Sequence, residues 1–304
     1  MEIDLTHDSV PVIHALDSTT RIDIVNLLAH QHMTVTELAN ELHYSKAIIS
    51  KHIQLLKDAS IVHEVSDASD DRRQKMLAVR SDSILINLPE KIYPDYRSTV
   101  YDITLGNYFS NRGIAPTCGL ANAEQIIGDI DDPNVFLTSD RSTASLIWFS
   151  QGQVEYIVPN PYKNGRHPEL IEISMEISSE FPASNNNWPS DIAFWLNDIK
   201  FGTWTVPGNF SDVRGKLNPN WWDPNFSQYG LLKHLRIMHT DTAIDGVHLS
   251  QHTIDDLNLD QANYLHFRIG VDPESDLQGG LTLFGHDFGN YPQDIRLTCY
   301  YSQF

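Results

Sequence analysis

TVTELANELHYSKAIISKHIQLLK, residues 34–57, is the stretch whose reading decides the fold. Thr34 and Thr36 can each cap a helix start, and Glu37 stands three residues after Thr34, the spacing of a capping box. Leu38 and Leu42, four apart, give that first helix an apolar stripe. His43 and Tyr44 make a turn and Ser45 caps a second helix, along which Ile49, Ile53 and Leu56 recur at helical spacing. The remainder of the second helix is polar and basic, with Lys46, Ser50, Lys51 and Lys57, and no acid occurs between Glu41 and Asp58. Two short helices joined by a tight turn, the second polar toward its N-terminus, form the shape that enters a DNA major groove.

Upstream, residues 11–30 read as one helical stretch, with Ile22, Val25, Leu28 and Ala29 at helix spacing and Ser18 or Thr19 as its cap. Downstream, residues 61–65 alternate like a strand, SDASDD (66–71) is a polar turn, and residues 76–79 read as the returning strand. Three helices followed by a hairpin is the order of a winged helix-turn-helix.

Residues 14–80 resemble the ArsR-type winged helix-turn-helix transcriptional regulators. The resemblance rests on Ala15-Leu16-Asp17, Thr20-Arg21, Ile24, Leu27-Leu28 and Thr36-Glu37-Leu38-Ala39. Ser45, Ser50-Lys51-His52-Ile53 and Leu56-Lys57 carry it through the second helix. The wing, Asp71-Arg72-Arg73-Gln74-Lys75, is also similar to MarR-type wings. What the resemblance implies is that Ser45, Lys46, Ala47, Ser50 and Lys51 face the major groove with His52 beside them. Arg72, Arg73 and Lys75 would then reach the backbone or minor groove. His52 is equally suited to packing, and Ser45 to capping alone. A homodimer on a palindromic double-stranded operator is implied too, since one recognition helix reads a half-site. Two departures stand out. Residues 37–42 hold no cysteine, so the thiol pair by which many members sense metal is missing, and Ser60 stands where the family usually has glycine.

At 304 residues the chain suits two domains, and the change of pattern places them at 1–88 and 89–304. The net charge of −19 is unusual for a DNA binder, and residues 1–90 hold 8 basic against 14 acidic side chains. Affinity for DNA must therefore come from a local basic patch and from fit to a particular site. That balance disfavours a promiscuous nucleic-acid coat protein. No apolar run approaches a membrane span and no signal peptide is visible, so the expected location is the cytoplasm with no membrane partner. Cys118 and Cys299 are too few and too far apart for a disulfide scaffold.

From residue 100 the pattern is one of short strands: 101–105, 146–149, 154–158 after a turn at Gln151-Gly152, 171–177, 192–196, 199–201, 265–271, 281–283 and 295–301. Asn197-Asp198 and Asp245-Gly246 are hairpin turns, and residues 119–132 have room for one helix. Eight to ten such strands predict an all-β sandwich or jelly roll. This part of the chain is similar to the C-terminal region of a subgroup of ArsR-type regulators, through its SDI, GTWT, RGKL and QYGLLK stretches, and its broad pattern is similar to carbohydrate-binding β-sandwiches. Residues 188–229 hold five of the six tryptophans among polar side chains. Rings beside planar hydrogen-bonding groups suit a sugar, which makes Trp188, Asp191, Trp195, Asn197, Trp204, Arg214, Lys216, Trp221 and Trp222 the candidate ligand residues. Any one of these rings is as readily core. Trp195 has opposite parity to Phe194 and Leu196 and should face the other side of its sheet.

Enzymatic signatures are missing: there is no nucleophile elbow, no glycine-rich phosphate loop and no histidine set with ligand spacing. Asp129, Asp131, Asp132 and Asp140 loosely resemble a calcium loop, but Pro133 and Val135 sit where ligands are wanted and a solvated loop fits better. The sequence thus points to a non-enzymatic DNA-binding regulator, a repressor modulated by a small molecule, with no cofactor or metal. The alternatives are a C-terminal domain that only oligomerises, or one retaining carbohydrate-active chemistry.

Overall fold

The computed structural model describes residues 1–66, 75–80, 83–88, 96–163, 165–260 and 262–303. The chain forms two compact units, Met1–Tyr93 and Pro94–Phe304. In the first, strand β1 (Glu2–Asp4) precedes helices α1 (Val10–Leu16), α2 (Thr19–His30), α3 (Val35–Glu41) and α4 (Lys46–Asp58). Strands β2 (Val62–Ser66) and β3 (Lys75–Val79) form the antiparallel wing, and β4 (Leu85–Asn87) runs parallel to β1. Ala15, Ile24, Leu28, Leu38, Ile49, Ile53 and Leu56 meet Leu77 of β3 in one buried cluster. Leu28, Leu38, Ile49, Ile53 and Leu56 are expected positions, whereas Ile22 and Ala29 of the expected α2 stripe are exposed and Ile24 is buried instead.

Local chemistry sets the helix ends. Thr34 and Glu37 make the capping box, with Thr34 N donating to Glu37 Oε2 at 2.7 Å and Glu37 N donating to Thr34 Oγ1 at 3.3 Å. Ser45 Oγ accepts from Ile48 N. Helices α3 and α4 both end with a left-handed residue, His43 (φ 58°) and Ser60 (φ 58°). Each closes the paired backbone bonds of a Schellman motif, Tyr44 N to Ala39 O with His43 N to Asn40 O, and Ile61 N to Leu56 O with Ser60 N to Lys57 O. The serine that replaces glycine at position 60 therefore occupies the glycine conformation, at a cost of about 1 kcal/mol.

The single helix expected over 11–30 is two helices, broken at Asp17 and Ser18, and Ser18 makes no side-chain cap bond. The reason is Arg21. Its guanidinium, 6% exposed, donates to the carbonyls of Ala15 (2.7 Å), His14 (2.6 Å) and Asp17 (3.1 Å). A buried cation thus satisfies the free carbonyls at the negative end of α1. Arg21→Met should lower stability by about 3 kcal/mol, since it leaves those carbonyls unpaired in the core. Far-UV circular dichroism will read this unit selectively, because the four α-helices among the described residues lie in it. An unshifted helical melt would show that the cap contributes nothing.

Among the described residues the second unit contains thirteen strands in one branched antiparallel network. They are β5 (Arg97–Ile103), β6 (Ser110–Ala121), β7 (Ile126–Ile127), β8 (Leu146–Pro159), β9 (Arg166–Ser178), β10 (Ser190–Leu196) and β11 (Ile199–Val206). Then come β12 (Leu231–Ile237), β13 (Thr242–Ile244), β14 (Val247–Ser250), β15 (Tyr264–Val271), β16 (Leu281–Phe284) and β17 (Ile295–Gln303). One layer runs β11-β10-β15-β8-β6-β7 and the other β14-β13-β12-β9-β17-β5, with β16 paired to both β8 and β9. Between them lies a single core that draws Phe194, Tyr156 and Phe267 from the first layer and Ile173, Met175 and Leu297 from the second. This is the expected β-sandwich.

Two local expectations fail. Residues 119–132 hold the end of β6 and the two residues of β7, not a helix. Gln151-Gly152 is no turn but the middle of one long strand, β8, where Gly152 (φ 116°) lets the chain bend past Ile114 as β6 shifts register. Strand β12 escaped notice because Lys233, His234 and Arg236 interrupt its apolar pattern; Arg236 is turned toward Glu172 of β9, with Nε 2.5 Å from Oε2. Asn197-Asp198 is the expected tight hairpin, both residues with positive φ.

Candidate DNA-binding face and ligand cavity

On α4, Ile49, Ile53 and Leu56 are buried, while Ser45, Lys46, Ala47, Ser50 and Lys51 are all exposed. One turn further on, Gln54 shares that exposed face, its Nε2 donating to Asp58 Oδ1 at 2.7 Å. Sequence reading missed Gln54 and the half-exposed Ile48, because neither breaks the apolar periodicity in an informative way. Lys46 and Lys51 make no ion pair among the described residues. His52 is turned inward: its Nδ1 lies 3.5 Å from Arg21 Nη1. Burial, then the charges of Arg21 and Lys51, lower its pKa and favour the neutral ring. Lys75 lies 3.0 Å from Glu64 Oε2, and Lys57 lies 2.6 Å from the other oxygen of that carboxylate. Arg72 and Arg73 lie outside the described residues.

The nine candidate ligand residues do not converge. Trp195 does face away from the Phe194 side, yet it is only 8% exposed, covered by Arg268 (4.8 Å) and Lys200 (5.7 Å). Asp191 accepts from Thr205 Oγ1, Asn197 shapes its turn by accepting from His266 N, and Lys233 covers the Trp204 ring at 4.5 Å. Arg214 donates to the carbonyls of Asn218, Pro219 and Trp222, bracing its own loop, and the Lys216 backbone N–H donates to Asn290. Trp188 packs edge-on against Phe181 at 4.9 Å, and Trp221, 39% exposed, donates its indole N–H to Ala123 O. Trp222 is buried against Trp148, Phe226 and Phe288.

Trp222 does, however, form one wall of a cavity of about 190 Å³ within the β domain. Trp148, Phe181 and Phe226 line it as well, with Glu180 buried at its floor and Asp131 exposed at its edge. Trp148 reaches this position by lying against Gly119, where any Cβ would come within 2.2 Å of the indole. Glu180 accepts from Thr117 Oγ1 at 2.9 Å and sits 3.0 Å from Thr282 Oγ1. Burial pushes its pKa up to about 8, against the lowering pull of those hydroxyls. Glu176, also buried in this domain, is raised by burial to about 7 while accepting the N–H groups of Gly230, Asn290 and Tyr291. It pins the 289–291 loop, which in turn receives Leu217 and Asn218 from the segment leading to Trp222.

Asp131 and Asp132 are already engaged, accepting from the N–H groups of Cys118 and Asn134, and no metal-holding cluster occurs among the described residues. No helix among them is long and apolar enough to cross a membrane.

Over residues 18–64 the chain matches the family described as bacterial regulatory protein, arsR family. Among solved structures, HlyU from Vibrio cholerae is 22% identical, the match covering 24% of this chain and 76% of that one at a TM-score of 0.22. NolR from Sinorhizobium fredii is 24% identical over 24% of this chain and 70% of its own, also at 0.22. The CBM36-1 domain of a multidomain xylanase from the hindgut metagenome of Trinervitermes trinervoides matches 67% of this chain and 96% of its own length, at 8% identity and a TM-score of 0.29. No curated protein matches the chain. Residues 18–64 are an ArsR-family DNA-binding regulatory domain, joined in this chain to a large antiparallel β domain.

Proposed function

We propose that the protein is a sequence-specific transcriptional regulator: a repressor that reads a palindromic operator as a homodimer and releases it when a small molecule binds the C-terminal β domain. The observation that carries this reading is the division of α4 into a buried apolar stripe and an exposed face of Lys46, Ala47, Ser50, Lys51 and Gln54. For the dimer, the first unit offers exposed apolar side chains outside its core, among them Val10 and Ile13 of α1 and Leu85 and Ile86 of β4. A second copy is the partner that the need for two half-sites supplies. The cavity beside Trp222 supports the sensing role. Its ligand would act by population shift, binding one spacing of the two recognition helices better than the other.

Genome-wide footprinting with the full chain tests the reading. It should return sites with paired half-sites about one helical turn apart. Uniform, salt-sensitive coverage without such sites would leave only non-specific binding and would refute the regulator.

A further inference from the structure

The aromatic cavity of the β domain has a composition that selects its occupant. We infer that it binds a small organic cation, an ammonium group on a compact hydrocarbon body about one ring in size. This deepens the sensing role proposed above. It rests on that role only for the consequence of binding, not for binding itself.

Three observations converge. The first is the walls: Trp148 and Trp222 meet at 6.0 Å and 64°, Trp222 and Phe226 at 5.2 Å, and Phe181 closes a further side. Ring faces attract a cation, and more strongly when it is withdrawn from water. The second is the sign of the polar groups. Both ionisable side chains lining the cavity are acids, Glu180 and Asp131, and no Lys, Arg or His lines it. An anionic ligand would meet the charge of Asp131 with no cation beside it to offset the repulsion. The third is size. At about 190 Å³ the space exceeds the roughly 150 Å³ that holds a benzene ring, and it has no room for an extended chain. A sugar is poorly served, because its many hydroxyls need partners and the threonine hydroxyls here are already committed.

Those commitments also show how Glu180 is held. Thr282 Oγ1 lies 3.0 Å from both Ser179 O and Glu180 Oε2. With its single proton given to the Ser179 carbonyl, Thr282 Oγ1 accepts from a protonated Glu180. A raised carboxyl pKa has the same meaning. Asp131 and the Cys118 thiol are the titratable groups beside Glu180. The thiol is itself pushed up to about 11 by burial and stays neutral. When a cation enters, Glu180 releases its proton to solvent, and the Thr282 hydroxyl turns from Ser179 to the new carboxylate.

The test is calorimetric titration of the full chain with benzylammonium, benzyl alcohol, benzoate and glucose. Benzylammonium should bind at least tenfold more tightly than the alcohol, with no binding of benzoate. Its affinity should rise about tenfold per pH unit below pH 8, with proton release seen as a buffer-dependent heat. Glu180→Gln should remove both the binding and the pH dependence. Should that variant misfold, Asp131→Asn at the cavity edge should still weaken benzylammonium severalfold while sparing the alcohol. Equal affinity for ammonium and alcohol, binding of glucose in preference to both, or no binding at all would overturn the inference. Tight benzylammonium binding that leaves operator affinity unchanged would instead uphold the site and refute the sensing role.

Discussion

Replacing Lys46, Ser50 and Lys51 together by alanine will abolish sequence-specific retardation of the protein's own promoter, lowering specific affinity by about a thousandfold. Each side chain that reads a base edge or phosphate is worth ~1–3 kcal/mol, and a loss on the order of 4 kcal/mol is three decades of affinity. The fold should survive. All three side chains are exposed, none is part of the buried cluster of Ile49, Ile53 and Leu56, and alanine is the best helix former. The acidic character of the chain makes the effect larger than it would be in a basic protein. With a net charge of −19 there is little non-specific attraction to fall back on. Electrophoretic mobility shifts with specific and scrambled fragments, beside a circular dichroism spectrum, decide the matter. Specific binding that persists in the triple variant would mean that a different face reads the operator.

The C-terminal domain should be less stable at pH 8 than at pH 5. In the unfolded chain a glutamate titrates near pH ~4.3 and is ionised above it. In the folded domain burial holds Glu176 protonated up to about 7 and Glu180 up to about 8. Across this window the folded state therefore binds more protons than the unfolded one, so stability falls as pH rises and the loss is complete once pH 8 is passed. Each group is worth on the order of 3–5 kcal/mol over the window. His239 acts in the same direction. Burial works against its charged form, but hydrogen bonds to Asp255 and the Pro168 carbonyl outweigh it and raise the pKa, so its stabilisation too is lost with rising pH. All six tryptophans lie in this domain, which makes fluorescence-detected urea unfolding a selective readout. The midpoint should be distinctly lower at pH 8, and Glu180→Gln should flatten the dependence between pH 7 and 8. A midpoint that is unchanged or higher at pH 8 would show that these carboxyls are not buried as described.

The sequence determined the helices of the helix-turn-helix almost completely, because a helix-turn-helix is a local object. Its capping box spans four residues, its apolar stripe repeats within one helix, and the exposed face is whatever that stripe leaves over. The general architecture of the β domain was equally legible, since alternation within β9, from Ile171 to Ile177, is a property of consecutive residues. Tertiary structure decided what depends on partners distant in sequence. Arg21 breaks the first helical stretch only because the carbonyls of α1 fold back onto it, and that same guanidinium draws His52 inward. Lys75 is free in the sequence and engaged with Glu64 in the fold. The tryptophans gathered at 188–229 suggested a single site, yet the chain distributes them among a hairpin, a loop and a core. The cavity is assembled instead from β6, β8, β16 and the segments holding Glu180 and Trp222, so no window of sequence contains it. Periodicity and capping are written into neighbouring residues; a buried carboxyl facing four rings exists only once the layers have packed.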